Sequence, residues 1–246
     1  MLNNETITKL NEMHMGTMAS GFAAQLSDPQ FQNLPFEERF SILVDAEWSS
    51  RKSNRLSRLI KKAGYSGTGA AVEDIAFTPE RKLDKAQILR LASCSYIQQA
   101  QNVIILGATG TGKTYLACAL GLAANRNFYE VRYMRLPDLL VEIAIARGAG
   151  TYREVMKKYK KVPLLILDEW LLYSLKESEA RDLLELIEAR NKVASTIFCS
   201  QFDVNEWHAS LYDPTMADAI CDRIIYNSHV VKIEGDSMRK KAAITE

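Results

Sequence analysis

Two hydrophobic rhythms divide the chain. Between residues 10 and 26 the apolar positions Leu10, Met13, Met18, Phe22 and Leu26 recur at helical spacing up to Ser27-Asp28-Pro29, which predicts a first helix. A longer helix is predicted from Pro35, a favoured first-turn residue, through Phe36, Phe40, Leu43, Val44, Trp48, Leu56 and Leu59 to a stop at Gly64. Further along, short apolar runs alternate with helical patterns. Strands are predicted at 103–106, 129–134, 164–167, 196–199 and 230–233, and helices at 83–99, 115–125, 137–147, 152–159 and 177–191. Strands separated by helices predict an α/β domain with a parallel sheet covered on both faces. The stretch Gly64-Tyr65-Ser66-Gly67-Thr68-Gly69 reads as a linker, so the expected division is a small all-α module over 1–70 and the α/β domain over 71–246.

The first strand runs into GATGTGKT, residues 107–114, and a helix follows. That order matters more than the string itself, because a strand–loop–helix places backbone N–H groups and a helix N-terminus around phosphates. In this reading Gly107, Gly110 and Gly112 let the backbone approach the anion, with Ala108, Thr109, Thr111 and Tyr115 completing the cradle. Lys113 reaches the β- and γ-phosphates and the Thr114 hydroxyl joins a Mg²⁺ shell. The strand Leu164-Leu165-Ile166-Leu167 ends in Asp168-Glu169, two carboxylates at the carboxyl end of a buried strand, where ligands of such sheets lie. Asp168 suits the metal, and Glu169 is placed to direct a water for hydrolysis. The guanine-reading pattern N-K-x-D has its nearest match in Asn191-Lys192-Val193-Ala194, which lacks the Asp, so ATP is favoured.

Composition adds restraint. With 31 Lys+Arg against 30 Asp+Glu the net charge is +1, and any affinity for nucleic acid must come from local patches. The densest patch is the second half of the long helix: Arg51, Lys52, Arg55, Arg58, Lys61 and Lys62, following an acidic half with Glu37, Glu38, Asp45 and Glu47. It is either a solvated helix end favoured by the dipole or a strip contacting DNA phosphates. A second cluster, Lys157-Lys158-Tyr159-Lys160-Lys161, reads first as an exposed helix end. Cys94, Cys118, Cys199 and Cys221 show no metal-ligand spacing and read as reduced, buried thiols. No long apolar run or signal-peptide pattern is visible, which predicts a cytoplasmic protein without a membrane partner.

Residues 5–241 resemble the IstB family, ATP-dependent helpers of bacterial insertion-sequence transposition related to the DnaC helicase loaders in the AAA+ superfamily. The resemblance rests on FEERF-SILVDAEW in the long helix, EDIAF, NVIILGATGTGKTYLACALG, LLILDEW, FCSQF and ADAICDRIIYNSHVVKIEGDSMRK. The DAEW helix and the tail are the more specific parts. Tyr115 stands where the family often has His, and Tyr173 interrupts a turn often rich in Gly. The resemblance implies a P-loop NTPase fold, a sensor polar group at Gln201 (with Ser200 the alternative), an arginine finger at Arg223 acting on a neighbouring subunit, and a second sensor at Arg239. It implies a homo-oligomer assembled with ATP on duplex DNA, largely without sequence readout, that recruits a transposase and is reset by hydrolysis. A helicase loader binding single-stranded DNA is the alternative, which the DAEW helix opposes. A small-molecule kinase is a third reading, opposed by Glu169 beside Asp168 and by the candidate finger.

Overall fold

The structure, a computed structural model, describes residues 2–67 and 69–238. Arg239, and Thr68 of the predicted linker, lie outside the described residues. The chain divides into two compact units, Met1–Arg58 and Leu59–Glu246.

The first unit is helical. The single helix expected over 10–26 is two, α1 (Leu2–Glu12) and α2 (Gly16–Ser27). The break falls at His14, whose φ of 57° is left-handed, and the Met15 N–H closes the end of α1 on the Leu10 carbonyl. Apolar spacing carries through the break, which is why periodicity alone misses it. The long helix is found as expected, α3 (Phe36–Ala63), ended by Gly64 at a φ of 72°. Leu10, Met18, Ala19 and Leu43 form a small core between these helices. Beside it Glu47 of the DAEW string is buried and accepts the Met18 N–H at 3.0 Å, satisfying a donor in the first turn of α2. Arg51 completes the arrangement, donating Nε to Glu47 Oε1 at 2.7 Å and Nη2 to the His14 carbonyl at 2.9 Å.

In the second unit, which begins within the last turns of α3, the helix that the sequence predicts over 83–99 is two, α4 (Lys85–Ala92) and α5 (Ser95–Gln98). Cys94, at a φ of 65°, divides them. The rest alternates as expected: β1 (Asn102–Gly107), α6 (Lys113–Arg126), β2 (Val131–Arg135), α7 (Leu136–Gly148), α8 (Tyr152–Lys161), β3 (Leu164–Asp168), α9 (Glu177–Arg190) and β4 (Ser195–Ser200). Then come α10 (Trp207–Ser210), α11 (Pro214–Ile225) and β5 (Ser228–Ile233). The apolar pattern predicts no helix at α11, although Asp213 caps it by accepting the Thr215 and Met216 N–H groups and Pro214 opens it.

Among the described residues five strands pair in parallel, in the order β2-β3-β4-β1-β5. Successive side chains of a strand point to opposite faces, and the two cores sort accordingly. Val103, Ile105, Leu164, Ile166, Ile197 and Cys199 join the core with α4, α5 and α6, whereas Ile104, Leu106, Leu165, Leu167 and Phe198 join that with α7, α8, α9 and α11. Burial on both faces explains why these strands read as continuous apolar runs. All four cysteines are buried and unpaired. Among the described residues no helix is long and apolar enough to cross a membrane.

The amino edge of the sheet is tied by Arg190, 2% exposed at the end of α9. Its guanidinium donates to Thr196 Oγ1 (2.9 Å) and to the carbonyls of Tyr159 (2.7 Å), Val162 (2.8 Å) and Ser195. Truncation leaves several buried carbonyls without donors, each worth about 1–3 kcal/mol. Arg190→Ala is therefore expected to lower unfolding stability by about 3–5 kcal/mol in urea denaturation. Nucleotide affinity of the folded fraction should stay unchanged, because Arg190 lies at the edge opposite the loop.

Candidate nucleotide site

The loop GATGTGKT leaves β1 at the carboxyl edge of the sheet, and the same edge receives Asp168 from β3 and Gln201 after β4. Gly107 is packed so closely against β5 that a Cβ there would stand 2.4 Å from the Ile233 carbonyl oxygen. Only glycine lets the strand enter the loop at this point. Gly112, at a φ of 97°, is the N-cap of α6 and turns the chain into the helix. The Lys113 ammonium donates to the Gly107 and Ala108 carbonyls at 2.7 and 2.9 Å, and Lys113 is only 9% exposed.

Thr109, Gly110, Lys113, Thr114, Asp168, Glu169 and Gln201 share one cleft of about 120 Å³, floored by Trp170 and Cys199. Within it Thr114 donates its hydroxyl to Asp168 Oδ2 at 2.7 Å, and Thr109 donates to Gln201 Oε1 at 2.6 Å. The other Asp168 oxygen accepts the Glu169 N–H at 2.8 Å. Among the described residues no group of three or more His, Cys, Asp or Glu side chains could hold a metal. One hydroxyl and one carboxylate in contact are the hard oxygen donors that fit Mg²⁺, an ion that keeps much of its shell for water and phosphate. A loop, a helix N-terminus and these oxygens together can bind a nucleoside triphosphate with its cation.

The family model for IstB-like ATP binding proteins matches residues 8–245. The chain belongs to this family. It is 38% identical over 240 residues to an insertion-sequence ATP-binding protein of Sinorhizobium fredii, covering 98% of both chains. It is also 39% identical over 201 residues to the ATP-binding protein of an insertion sequence from Pseudomonas fluorescens, covering 82% of this chain and 87% of that one. Among solved structures, the AMPPCP-bound DnaA of Aquifex aeolicus aligns with a TM-score of 0.59 at 23% identity over 72% of this chain and 54% of that one. A DnaC helicase loader aligns with a TM-score of 0.59 at 16% identity over 67% of this chain and 97% of that one. These likenesses give the fold, a P-loop domain of the AAA+ type, and the IstB-like family gives ATP as the nucleotide.

The IstB-like site has partners that sequence reasoning missed. Tyr133, on β2 and 9% exposed, donates its hydroxyl to Asp168 Oδ2 at 2.8 Å, the same oxygen that Thr114 uses. Burial, above all, raises the Tyr133 pKa, so the phenol stays protonated as a donor. Two residues on, Arg135 donates Nη2 to Glu169 Oε2 at 2.6 Å, and this contact holds the guanidinium pKa up. The pair is solvent-facing, and such pairs contribute roughly 0–1 kcal/mol, so Glu169 is held lightly. Glu169 itself has a φ of 54° and Leu171 one of 51°, left-handed conformations that cost non-glycine residues about 1–3 kcal/mol each. The Trp170 N–H, bound to the Cys199 carbonyl at 2.8 Å, keeps that turn in place. Only the pairing of β2 with β3, through Tyr133↔Ile166 and Arg135↔Asp168, brings these side chains together.

Other predicted residues are placed elsewhere. Ser200 is fully buried, donating to the Trp170 carbonyl and accepting from Trp207 Nε1, so its hydroxyl serves the packing of Trp170, Phe198 and Trp207. Tyr115 reaches from α6 to the backbone of Ala71, its oxygen 3.4 Å from that N–H. Arg223, on α11, bonds the Ala219 carbonyl at 2.6 Å and Glu188 at 2.7 Å and does not line the phosphate cleft. In the basic strip, Arg51, Lys52, Arg55, Arg58, Lys61 and Lys62 are all exposed. Arg51 also serves Glu47, Lys52 lies over the Trp48 ring, and Lys62 pairs with Glu130 at 2.7 Å. The second cluster is largely structural: Lys158 pairs with Glu142, Lys160 with Glu185, and Tyr159 is buried.

Tyr133→Phe removes one of the donors to Asp168 Oδ2 without changing the side chain's bulk. It is expected to raise the Mg²⁺ concentration needed for half-maximal turnover by roughly 10-fold, the usual effect of losing an outer-shell partner. ADP affinity in EDTA should be unaltered. A Mg²⁺ titration alongside equilibrium ADP binding checks both, and an unchanged midpoint would remove Tyr133 from the site.

Proposed function

We propose that this IstB-like protein is a Mg²⁺-dependent ATPase that assembles with itself on duplex DNA in its ATP-bound form, recruits or activates a transposase there, and is reset by hydrolysis to ADP. The observation that carries the hydrolytic part is the Thr114–Asp168 contact with Glu169 alongside it in one cleft. Family membership supports the part in insertion-sequence transposition, since the relatives carry insertion-sequence names.

In this reading the N–H groups of the loop and of the start of α6 bind the phosphates, Lys113 neutralises the β- and γ-phosphates, and Thr114 and Asp168 hold Mg²⁺. When bound, the cation neutralises charge that builds on the transferred phosphoryl group. Glu169 orients the attacking water and accepts its proton, after exchanging its contact with Arg135 for that water. Gln201, beside Thr109, contacts the γ-phosphate or the same water.

Arg223 is the finger that completes a neighbouring subunit's site, a contribution of about 10³- to 10⁵-fold in rate. Its exposed pairing with Glu188 is weak enough to exchange for a phosphate. Arg239, beyond the described residues, serves as the second sensor. A finger given in trans makes turnover depend on assembly, and assembly on the bound nucleotide. On DNA the exposed cations of α3 add up over the subunits, each neutralised phosphate steepening the salt dependence by about one unit of log slope. Arg55 and Arg58 are three positions apart and share a face of the helix. The place of action is the bacterial cytoplasm. The insertion-sequence relatives favour this reading over a helicase loader.

Glu169→Gln is expected to bind ATP and form long-lived assemblies on duplex DNA while turnover falls at least about 100-fold, as when a general base is lost. Nucleotide binding, sedimentation with DNA and phosphate release measure this, and loss of binding would reject Glu169 as the water-directing group. Arg223→Ala and Lys113→Ala proteins, each inactive alone, should recover part of the activity when mixed, because some interfaces then combine an intact finger with an intact loop. No recovery at any mixing ratio would refute an in-trans finger.

A further inference from the structure

Arg81 holds a position that neither the nucleotide motifs nor the family reading assigns. It ends the short turn Pro79–Arg81 and is 8% exposed. Its guanidinium bridges two backbone carbonyls, donating Nη1 to Ala76 O at 2.7 Å and Nη2 to Thr111 O at 2.9 Å. Among the described residues no carboxylate pairs with it. A buried cation satisfied only by carbonyls keeps its full charge, an expensive arrangement unless an anion shares the site. The turn carrying Arg81 is itself fixed, since its carbonyl accepts the Glu234 N–H at 3.1 Å just after β5.

We infer that Arg81 is a positioning residue for the nucleotide phosphates, acting through the Thr111–Gly112 peptide. This inference rests on the nucleotide reading of the loop. A peptide unit is planar and trans, so its carbonyl and its N–H point in opposite directions. By pulling the Thr111 carbonyl outward, Arg81 aims the Gly112 N–H the other way, toward the phosphate side at the start of α6. The fit is close: a Cβ on Gly112 would stand 3.0 Å from Arg81 Nη2, so the loop's last glycine makes room for the guanidinium as well as for the turn. The Arg81 charge also adds to that of Lys113, giving the loop a second buried cation to meet a polyanion. Lysine cannot replace the fork, because one ammonium on a flexible stem does not hold two carbonyls in a fixed plane.

The experiment measures equilibrium binding of a fluorescent ADP in EDTA to the full chain, with thermal melting in parallel. Arg81→Lys keeps the charge and the stem, and Arg81→Met keeps the stem alone. Arg81→Lys is expected to melt within a few degrees of the parent and to bind ADP about tenfold more weakly, with Arg81→Met weaker still. Arg81→Lys or Arg81→Met protein that is folded and binds ADP within twofold of the parent overturns the inference, even if its melting temperature has dropped, since that is the signature of a purely structural arginine. Lys113→Ala separates the two levels of the argument. If it loses ADP binding while the Arg81 variants do not, only the role of Arg81 falls. If it binds ADP like the parent, the nucleotide reading of the loop falls with it.

Discussion

In a parallel sheet every strand leaves at the same edge, so the segments that follow β1, β3 and β4 must meet. Register sets how closely. Leu106 lies level with Ser200, and Leu167 with Phe198, so the loop after Gly107, the Asp168-Glu169 pair and Gln201 emerge within a residue or two of one another. Apolar side chains on both faces hold this register, because a slip of one residue would exchange the two cores. The site is thus a by-product of packing. Its chemistry comes from three polar chain ends that the hydrophobic pairing delivers to one cleft.

What surrounds that cleft sorts its polar groups by task. Ser200 is drawn into the aromatic packing under the Asp168 turn, while its neighbour Gln201 faces Thr109. Asp168 is held on both oxygens, by Thr114, Tyr133 and the Glu169 backbone, and is rigid in consequence. Glu169 is held by a single exposed arginine, on a backbone already in a left-handed conformation. Firm placement of one carboxylate and loose placement of the other suits a pair in which one holds an ion and the other meets a passing water. The edge strand β2 supplies both restraints, Tyr133 and Arg135, though it carries no recognised nucleotide motif.

Much of the fold was legible because the central strands β1, β3 and β4 carry continuous apolar runs between helix-length segments. The breaks at His14 and Cys94 were not, since both are ordinary residues in left-handed conformations that no local signal announces. Helix α11 starts at Asp213-Pro214, a capping residue followed by a first-turn proline, and lies outside the alternation of apolar runs that marks the other elements. In the site, loop and acidic pair were legible because their spacing is local. Tyr133, Arg135 and Arg81 were hidden for a physical reason: each acts across 30 to 35 positions of sequence, through contacts created only by strand pairing or by a turn folding back on the loop. The Lys157–Lys161 stretch is the helix end that its charge pattern suggests, the carboxyl end of α8, where Lys158 and Lys160 pair with Glu142 and Glu185.

The buried cysteines have a practical side. Burial pushes the thiols of Cys94, Cys118 and Cys221 up to about 11, and that of Cys199 well above its ordinary value. Reagents that label cysteine attack the thiolate, and at neutral pH roughly one in 10⁴ of such thiols is ionised. In the folded chain the native cysteines are therefore silent toward maleimides and similar probes. A single cysteine introduced at an exposed position of α3 would react alone, so dyes or spin labels could test the proposed assembly on DNA in a protein that still has all its natural thiols.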